Sequence, residues 1–106
     1  MKFVSWNVNG IRACWNHGLS TFLQRFDADI YAFQETKVNE PYFMAEIDGY
    51  EAYWSFCDKR KGYSGTMILT KTKPIDVTYD FGTCDDFNTE GRLITLEYDN
   101  FYFVNC

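Results

Sequence analysis

The sequence has one histidine, two prolines and no two cysteines close together. With His17 alone, no Ser-His-Asp set can be assembled, and the chain contains no G-x-S-x-G, phosphate-loop or G-x-G-x-x-G string. Cys14, Cys57, Cys84 and Cys106 are separated by 43, 27 and 22 residues. That spacing contains no CxxC pair, so it argues against a zinc site. No apolar run approaches the ~18 residues of a membrane span. The N-terminus turns polar at Ser5 and Asn7, too soon for the apolar core of a signal peptide. These absences lead us to expect a soluble cytoplasmic protein with reduced thiols and no membrane partner. Gly and Pro are scarce (7 and 2 of 106 residues) and 46% of residues are hydrophobic, which excludes disordered and fibrous chains. The length allows a single domain, residues 1–106.

What the chain has in excess is aromatic rings, 21 of them, together with a net charge of −5. A chain of this size buries only about 60–70% of its unfolded surface, so that many rings call for a second layer or an exposed role. The acidic balance argues against nucleic-acid binding through overall charge. The charges are segregated, however. Residues 59–73 hold Lys59, Arg60, Lys61, Lys71 and Lys73, while 76–90 hold five acids and no base. Such a cationic strip grips phosphates in some proteins and is a solvated face in many others.

Periodicity predicts an α/β chain with a largely mixed sheet. Phe3 to Val8 alternates as a strand, broken by Asn9-Gly10. Leu19, Phe22, Leu23 and Phe26 recur at helical spacing, and Asp27 to Asp29 ends that helix. Ile30 to Gln34 is a short apolar run suited to a buried parallel strand, which completes a βαβ unit. A short helix is expected from Glu40-Pro41 through Ile47. Residues 50–57 and 66–71 read as a hairpin about a polar, Gly-bearing turn. Residues 75–81 form a further strand, 82–91 an acidic loop, and 93–98 with 101–106 a last hairpin. The final strand, FYFVNC, runs to the last residue without a turn or polar tail, as if the chain were cut there.

In a βαβ unit the carboxyl ends of the two strands lie side by side, where open α/β sheets place ligands. This brings Asn7 beside Glu35. A carboxylate emerging from a buried strand needs a partner, and a hard cation such as Mg²⁺ accepts one or two carboxylates plus water and phosphate. Capping of backbone amides or pairing with Lys37 would serve Glu35 equally well. Asn7 before Val8-Asn9-Gly10 also reads as turn chemistry. Tyr63-Ser64-Gly65 after the basic turn either stacks on a nucleic-acid backbone or is a turn that needs glycine. Arg92 is either a strand-edge charge or a phosphate ligand, and His17 reads as a surface residue.

Four strings, in order and at these spacings, carry a resemblance: SWNVNGIRA (5–13), FQETK (33–37), KGYSGTMIL (61–69) and EGRLITLEY (90–98). Together they resemble the exonuclease III family of apurinic/apyrimidinic (AP) endonucleases, over the whole chain from Lys2 to Cys106. The resemblance implies the DNase I-like four-layer αββα sandwich, with its second half missing from these 106 residues. It implies Mg²⁺-dependent hydrolysis of DNA phosphodiesters at abasic sites and 3′ ends, in base-excision repair, with Mn²⁺ as an alternative ion. By match to the motifs, Glu35 and Asn7 are the metal-site and catalytic residues, and Arg12, Tyr63 and Arg92 touch the DNA backbone. Asn9 departs from the pattern, which is often acidic there. The family's Tyr-x-Pro-Asn, Asp-x-Asn and Asp-His segments come after the point where this chain stops. The whole protein is therefore expected to be an active monomer, and the 106 residues alone to be inactive and prone to self-association through exposed aromatic surface. Two other readings share the scaffold: a superfamily phosphohydrolase outside repair, and a regulatory paralogue of the catabolite repression control type.

Overall fold

The computed structural model describes residues 1–79 and 90–106. The expected strand at 75–81 and acidic loop at 82–91 therefore lie partly outside the described residues. Among the described residues there are seven strands: β1 (Phe3–Asn7), β2 (Ile30–Gln34), β3 (Glu51–Ser55), β4 (Thr66–Thr70), β5 (Asp76–Thr78), β6 (Ile94–Glu97) and β7 (Tyr102–Asn105). They form two sheets, where strand periodicity alone suggests one. The first is mixed, in the order β1-β2-β4-β3, and the second is antiparallel, β5-β6-β7. β1 and β2 are parallel, with Phe3 opposite Ile30 and Asn7 opposite Gln34, whereas β4 runs antiparallel to both β2 and β3.

The division into layers comes from the alternation of β2 and β4, which are buried on both faces. Tyr31, Phe33, Met67 and Leu69 point to one side, where they pack with Ile11, Leu19 and Leu23 of the helical layer. Ile30 and Ile68 point to the other, against Ile94 and Leu96 of β6. Each such side chain contributes roughly 1.5–3 kcal/mol on full burial, so the central pair of strands anchors both layers. The Tyr31 hydroxyl survives in this core because it donates to Leu23 O (2.8 Å) and accepts from Ala28 N (2.9 Å).

The helical layer begins earlier than periodicity suggests. α1 (Ile11–Cys14) comes directly after Asn9-Gly10 and is joined to α2 (Ser20–Phe26) by a wide turn with Gly18 at φ 113°. That kink rephases the apolar stripe, so only the α2 part shows helical spacing in the sequence. His17 lies inside this turn. Asp27 ends α2 in a left-handed conformation, its N–H reaching Leu23 O. The helix expected over 40–47 is reduced to a single turn, Phe43–Ala45. Only Ala45 of that turn is buried, while Phe43 and Met44 are exposed. With no apolar face to pack, a segment this short gains too little to propagate a helix.

The second sheet packs on β2 and β4, and among the described residues β1 is an edge strand of the first sheet, with Phe3 about half exposed beside Phe101 and Phe103. Among the described residues no helix is long and apolar enough to cross a membrane, and Cys14, Cys57 and Cys106 are free thiols.

Candidate metal and phosphate site

The site forms where three loops leave the same end of the first sheet and continue its hydrogen bonding past the strands. Val8 N donates to Gln34 O, Gly10 N to Glu35 O and Ile11 N to Thr36 O; on the other side Thr36 N donates to Gly65 O and Lys37 N to Ser64 O. The segment 35–37 is thus the middle rung of a ladder built from irregular backbone. The cost is visible in φ: Asn9 (47°), Glu35 (53°), Lys37 (57°) and Ser64 (54°) all occupy the left-handed region. Residues held this way cost of order 1–3 kcal/mol each and cluster at functional sites.

The parallel register brings the two expected residues together. Asn7 Nδ2 donates to Glu35 Oε2 at 2.5 Å, and Asn7 Oδ1 accepts from Asn9 N at 3.0 Å. Asn7 therefore closes its own turn and orients the carboxylate. A cavity of about 360 Å³ opens here, lined by Asn7, Gln34, Glu35, Ser64, Thr66, Arg92 and Cys106. A second concavity shares Glu35, Ser64 and Arg92 and adds Lys37, Gly62 and Tyr63. Tyr63 and Arg92 meet: Arg92 Nη2 donates to the Tyr63 hydroxyl at 2.7 Å, and the Arg60 guanidinium lies 4.5 Å from the centre of the Tyr63 ring. Arg92 is steadied by Glu90, whose carboxylate is 3.4 Å from Nε.

Arg12 is placed apart from these residues. It lies over the Tyr42 ring and lines an adjoining trough with Lys37 and Lys61. The cationic run 59–73 is not one strip. β4 separates its two halves by roughly 16 Å at ~3.3 Å per residue, so Lys71 and Lys73 sit at the far end of the sheet from Lys59–Lys61.

Of three supporting residues, Asn105 and Asn39 are not legible in sequence, whereas Gly65 fits the glycine-requiring turn expected at 63–65. Asn105 is almost completely buried (2% exposed). It donates to Phe33 O (3.0 Å) and Met67 O (2.9 Å) of the first sheet while accepting from Gln34 Nε2 (2.8 Å). β7 is thereby fastened to β2 and β4 close to Glu35. Asn39 holds the loop between β3 and β4, donating to Cys57 O and accepting from Gly62 N. Gly65, at φ 91°, admits the Thr36 hydroxyl: a Cβ there would lie 2.4 Å from Thr36 Oγ1. That oxygen is buried without a hydrogen-bond partner.

The donor set suits a hydrated hard cation. Glu35 offers one carboxylate, with a single hydrogen bond to Asn7, facing a polar cavity with room for water and phosphate, the way Mg²⁺ is commonly held. Among the described residues no three acidic, His or Cys side chains gather into a closed protein cage.

Two stacked sheets with helices on the outer face of the first, and an acid–amide pair at adjacent parallel strand ends, define a DNase I-like α/β sandwich. The chain belongs to the Endonuclease/Exonuclease/phosphatase family, whose pattern matches residues 4–106. It is 41% identical over 105 residues to an exodeoxyribonuclease of Bacillus subtilis (strain 168), covering 98% of this chain and 41% of that protein. It is 39% identical to the DNA repair nuclease APEX1 of Danio rerio, over all of this chain and 35% of the relative. Among solved structures, the Xenopus laevis APE2 catalytic domain superposes on 91% of this chain and 38% of its own, with TM-score 0.73 and 33% identity. An AP endonuclease from Archaeoglobus fulgidus gives TM-score 0.77 at 28% identity over 98% of this chain and 39% of its own. The chain spans about two-fifths of the length of these relatives.

Proposed function

We propose that these residues form part of a Mg²⁺-dependent DNA repair nuclease of the exonuclease III type, which hydrolyses phosphodiesters at abasic sites and trims 3′ ends. The observation that carries this reading is the Asn7–Glu35 pair at neighbouring parallel strand ends, facing a polar cavity that also receives Arg92. The relatives are named as exodeoxyribonucleases and AP endonucleases, which supports DNA as the substrate class. Divalent ions are generally used in this nuclease superfamily. Mg²⁺, with Mn²⁺ as a substitute, is the choice that fits a single carboxylate with open water positions.

In this reading Glu35 holds the cation and Asn7 fixes the carboxylate's direction. When bound, the ion supplies neutralisation of the charge that develops on the phosphoryl oxygens. Arg92 offers further donors to the same phosphate, and its bond to the Tyr63 hydroxyl sets the guanidinium plane. Tyr63 and Arg12 contact the strand without reading its sequence.

The test is direct binding of Mg²⁺ or Mn²⁺ by calorimetry. Glu35→Gln should abolish binding, and Asn7→Ala should weaken it about 10–100-fold, the usual cost of losing a residue that orients a ligand. Equal affinity in wild type and Glu35→Gln would refute the metal site. Mg²⁺-dependent incision of an abasic duplex by the 106 residues alone should be undetectable. Among the described residues no His and no second carboxylate lines the cavity to activate water.

A further inference from the structure

Gln34 ends β2 and lies opposite Asn7 of β1 and Thr66 of β4, and all three line the cavity that holds Glu35. An amide side chain has a donor end and an acceptor end, and the end that faces the cavity decides what Gln34 can do there. Neighbouring oxygens fix which end that is. Asn105 Nδ2 donates to Phe33 O (3.0 Å) and Met67 O (2.9 Å), two backbone carbonyls that have no hydrogen to give. Turning that amide over would set oxygen against oxygen at both contacts, so Asn105 Oδ1 is held toward Gln34. Gln34 must then present Nε2 to it, which it does at 2.8 Å, with Ser5 Oγ (3.1 Å) and Ala32 O (3.3 Å) as further acceptors around the same nitrogen. The donor end is thus fully engaged. Oε1, in contrast, accepts no hydrogen bond among the described residues and is not sealed in the core. The free end of this side chain is a carbonyl oxygen, in a cavity it shares with a carboxylate.

We infer that Gln34 is a positioning residue of the cation site: Oε1, its direction set by Asn105, accepts hydrogen bonds from the hydration shell of the divalent cation that Glu35 binds. The inference rests on the metal-site reading and adds to it a neutral oxygen to which that reading gives no role. Mg²⁺ dehydrates reluctantly and keeps several waters. Those waters have hydrogens to donate, so an acceptor beside a single carboxylate is matched to them, whereas the nitrogen end of the amide would oppose them. Two strand carbonyls, through one buried asparagine, thereby set the polarity of a group in the cavity.

The experiment is a Mg²⁺ titration of the chain, read by calorimetry and by the carbon NMR shifts of the glutamine side-chain carbonyls. The sequence has two glutamines, Gln24 and Gln34, and Gln24 lines a separate cavity with Asp27 and Tyr50, which makes it the internal control. The Gln34 carbonyl should shift on adding Mg²⁺ and return with EDTA, while that of Gln24 stays in place. Gln34→Met keeps the chain length without the oxygen and should weaken Mg²⁺ binding about 10–100-fold. Asn105→Ala should weaken it in wild type and add nothing in Gln34→Met, because it acts through the direction of the Gln34 amide. Mere loosening of the fold would add its loss in both backgrounds. The NMR readout needs no variant, so it decides the matter even where a substitution prevents folding, which thermal melts report. If Mg²⁺ binds wild type and the Gln34 carbonyl does not move, or Gln34→Met binds as tightly as wild type, the role of Gln34 is refuted while the Glu35 reading stands. If Asn105→Ala weakens binding equally in both backgrounds, the link between the two amides is wrong. If wild type binds no Mg²⁺, the metal-site reading falls and this inference with it.

Discussion

Lys2 and Lys71 flank one end of the first sheet, Lys37 and Lys61 the other, and the two ends hold their cations differently. Lys2 donates from its ammonium to Phe26 O, and its backbone N–H reaches Asp29 Oδ2 at 2.6 Å. Lys71 lies 2.7 Å from Asp27 Oδ1, and its backbone N–H bonds Asp29 O. At the opposite end, Lys37 meets only an amide, while Arg92 bonds the Tyr63 phenol and pairs at 3.4 Å with Glu90. Backbone strain divides in the same way: of the five described non-glycine residues with left-handed φ, only Asp27 belongs to the first end. Lys2 and Lys71 thus have oxygen partners within the protein, Asp27 among them, whereas the other end holds strained backbone and, at Lys37, an ammonium held by an amide alone. That asymmetry marks which end is built for a ligand without reference to any relative.

The comparison can be broken most forcefully at Gly65. Gly65→Ala adds a methyl 2.4 Å from Thr36 Oγ1 at φ 91° and should cost about 3 kcal/mol in urea unfolding. Gly49→Ala, at φ 88° with open space around it, carries only the conformational part and should cost about 1 kcal/mol. Similar losses at both glycines would show that the close approach at the site end has no weight.

Asn105→Ala should cost about 2 kcal/mol, because it strips partners from two buried carbonyls and from Gln34. Faster amide exchange at Thr36 and Lys37 should accompany it, with Lys71 N–H little changed. Uniform exchange across both ends would mean the clamp is not local.

Glu35→Gly should raise stability by about 0.5 kcal/mol while eliminating metal binding, since glycine relieves the left-handed φ at the cost of chain entropy. A loss of stability would mean the residue is held for structure rather than for a ligand.

The smallest effect belongs to the satisfied end. The Lys71 ammonium, by hydrogen bond and then by charge, holds the Asp27 carboxyl below its usual range. A depressed folded-state pKa gives stability that is present above the unfolded value, near ~3.9. It is lost as pH falls through the folded value. Lys71→Ala should therefore flatten the acid limb of a melting-temperature profile slightly and leave neutral pH almost unaffected, as expected of an exposed pair.

Much of this architecture is readable from the residues, for identifiable reasons. β1, β2 and the two hairpins carry patterns dictated by burial, and the adjacency of Asn7 and Glu35 comes from parallel pairing alone. α1 is hidden in the sequence because the turn at Gly18 shifts the helical phase. The single turn at Phe43–Ala45 looks longer in sequence because Pro41 favours a helix start whatever its neighbours can bury. The cationic run looks continuous because sequence does not show that β4 carries its two halves to opposite ends. The division into two sheets, Asn105 and the left-handed rungs depend on contacts between distant segments. The recognisable strings 5–13, 33–37, 61–69 and 90–98 supply the sandwich that periodicity does not.

Asn105 also imposes an order of events on the growing chain. Its bond to Phe33 O spans 72 residues, and that to Met67 O spans 38. During synthesis the βαβ unit and the β3–β4 hairpin emerge long before this amide does, and domains begin to organise from the N-terminal side. A nascent first sheet can therefore exist with the corner at Asn7 and Glu35 still loose. The clamp on Phe33 O and Met67 O is complete only when β7 docks, so this corner depends on a long-range contact that closes a loop of most of the chain.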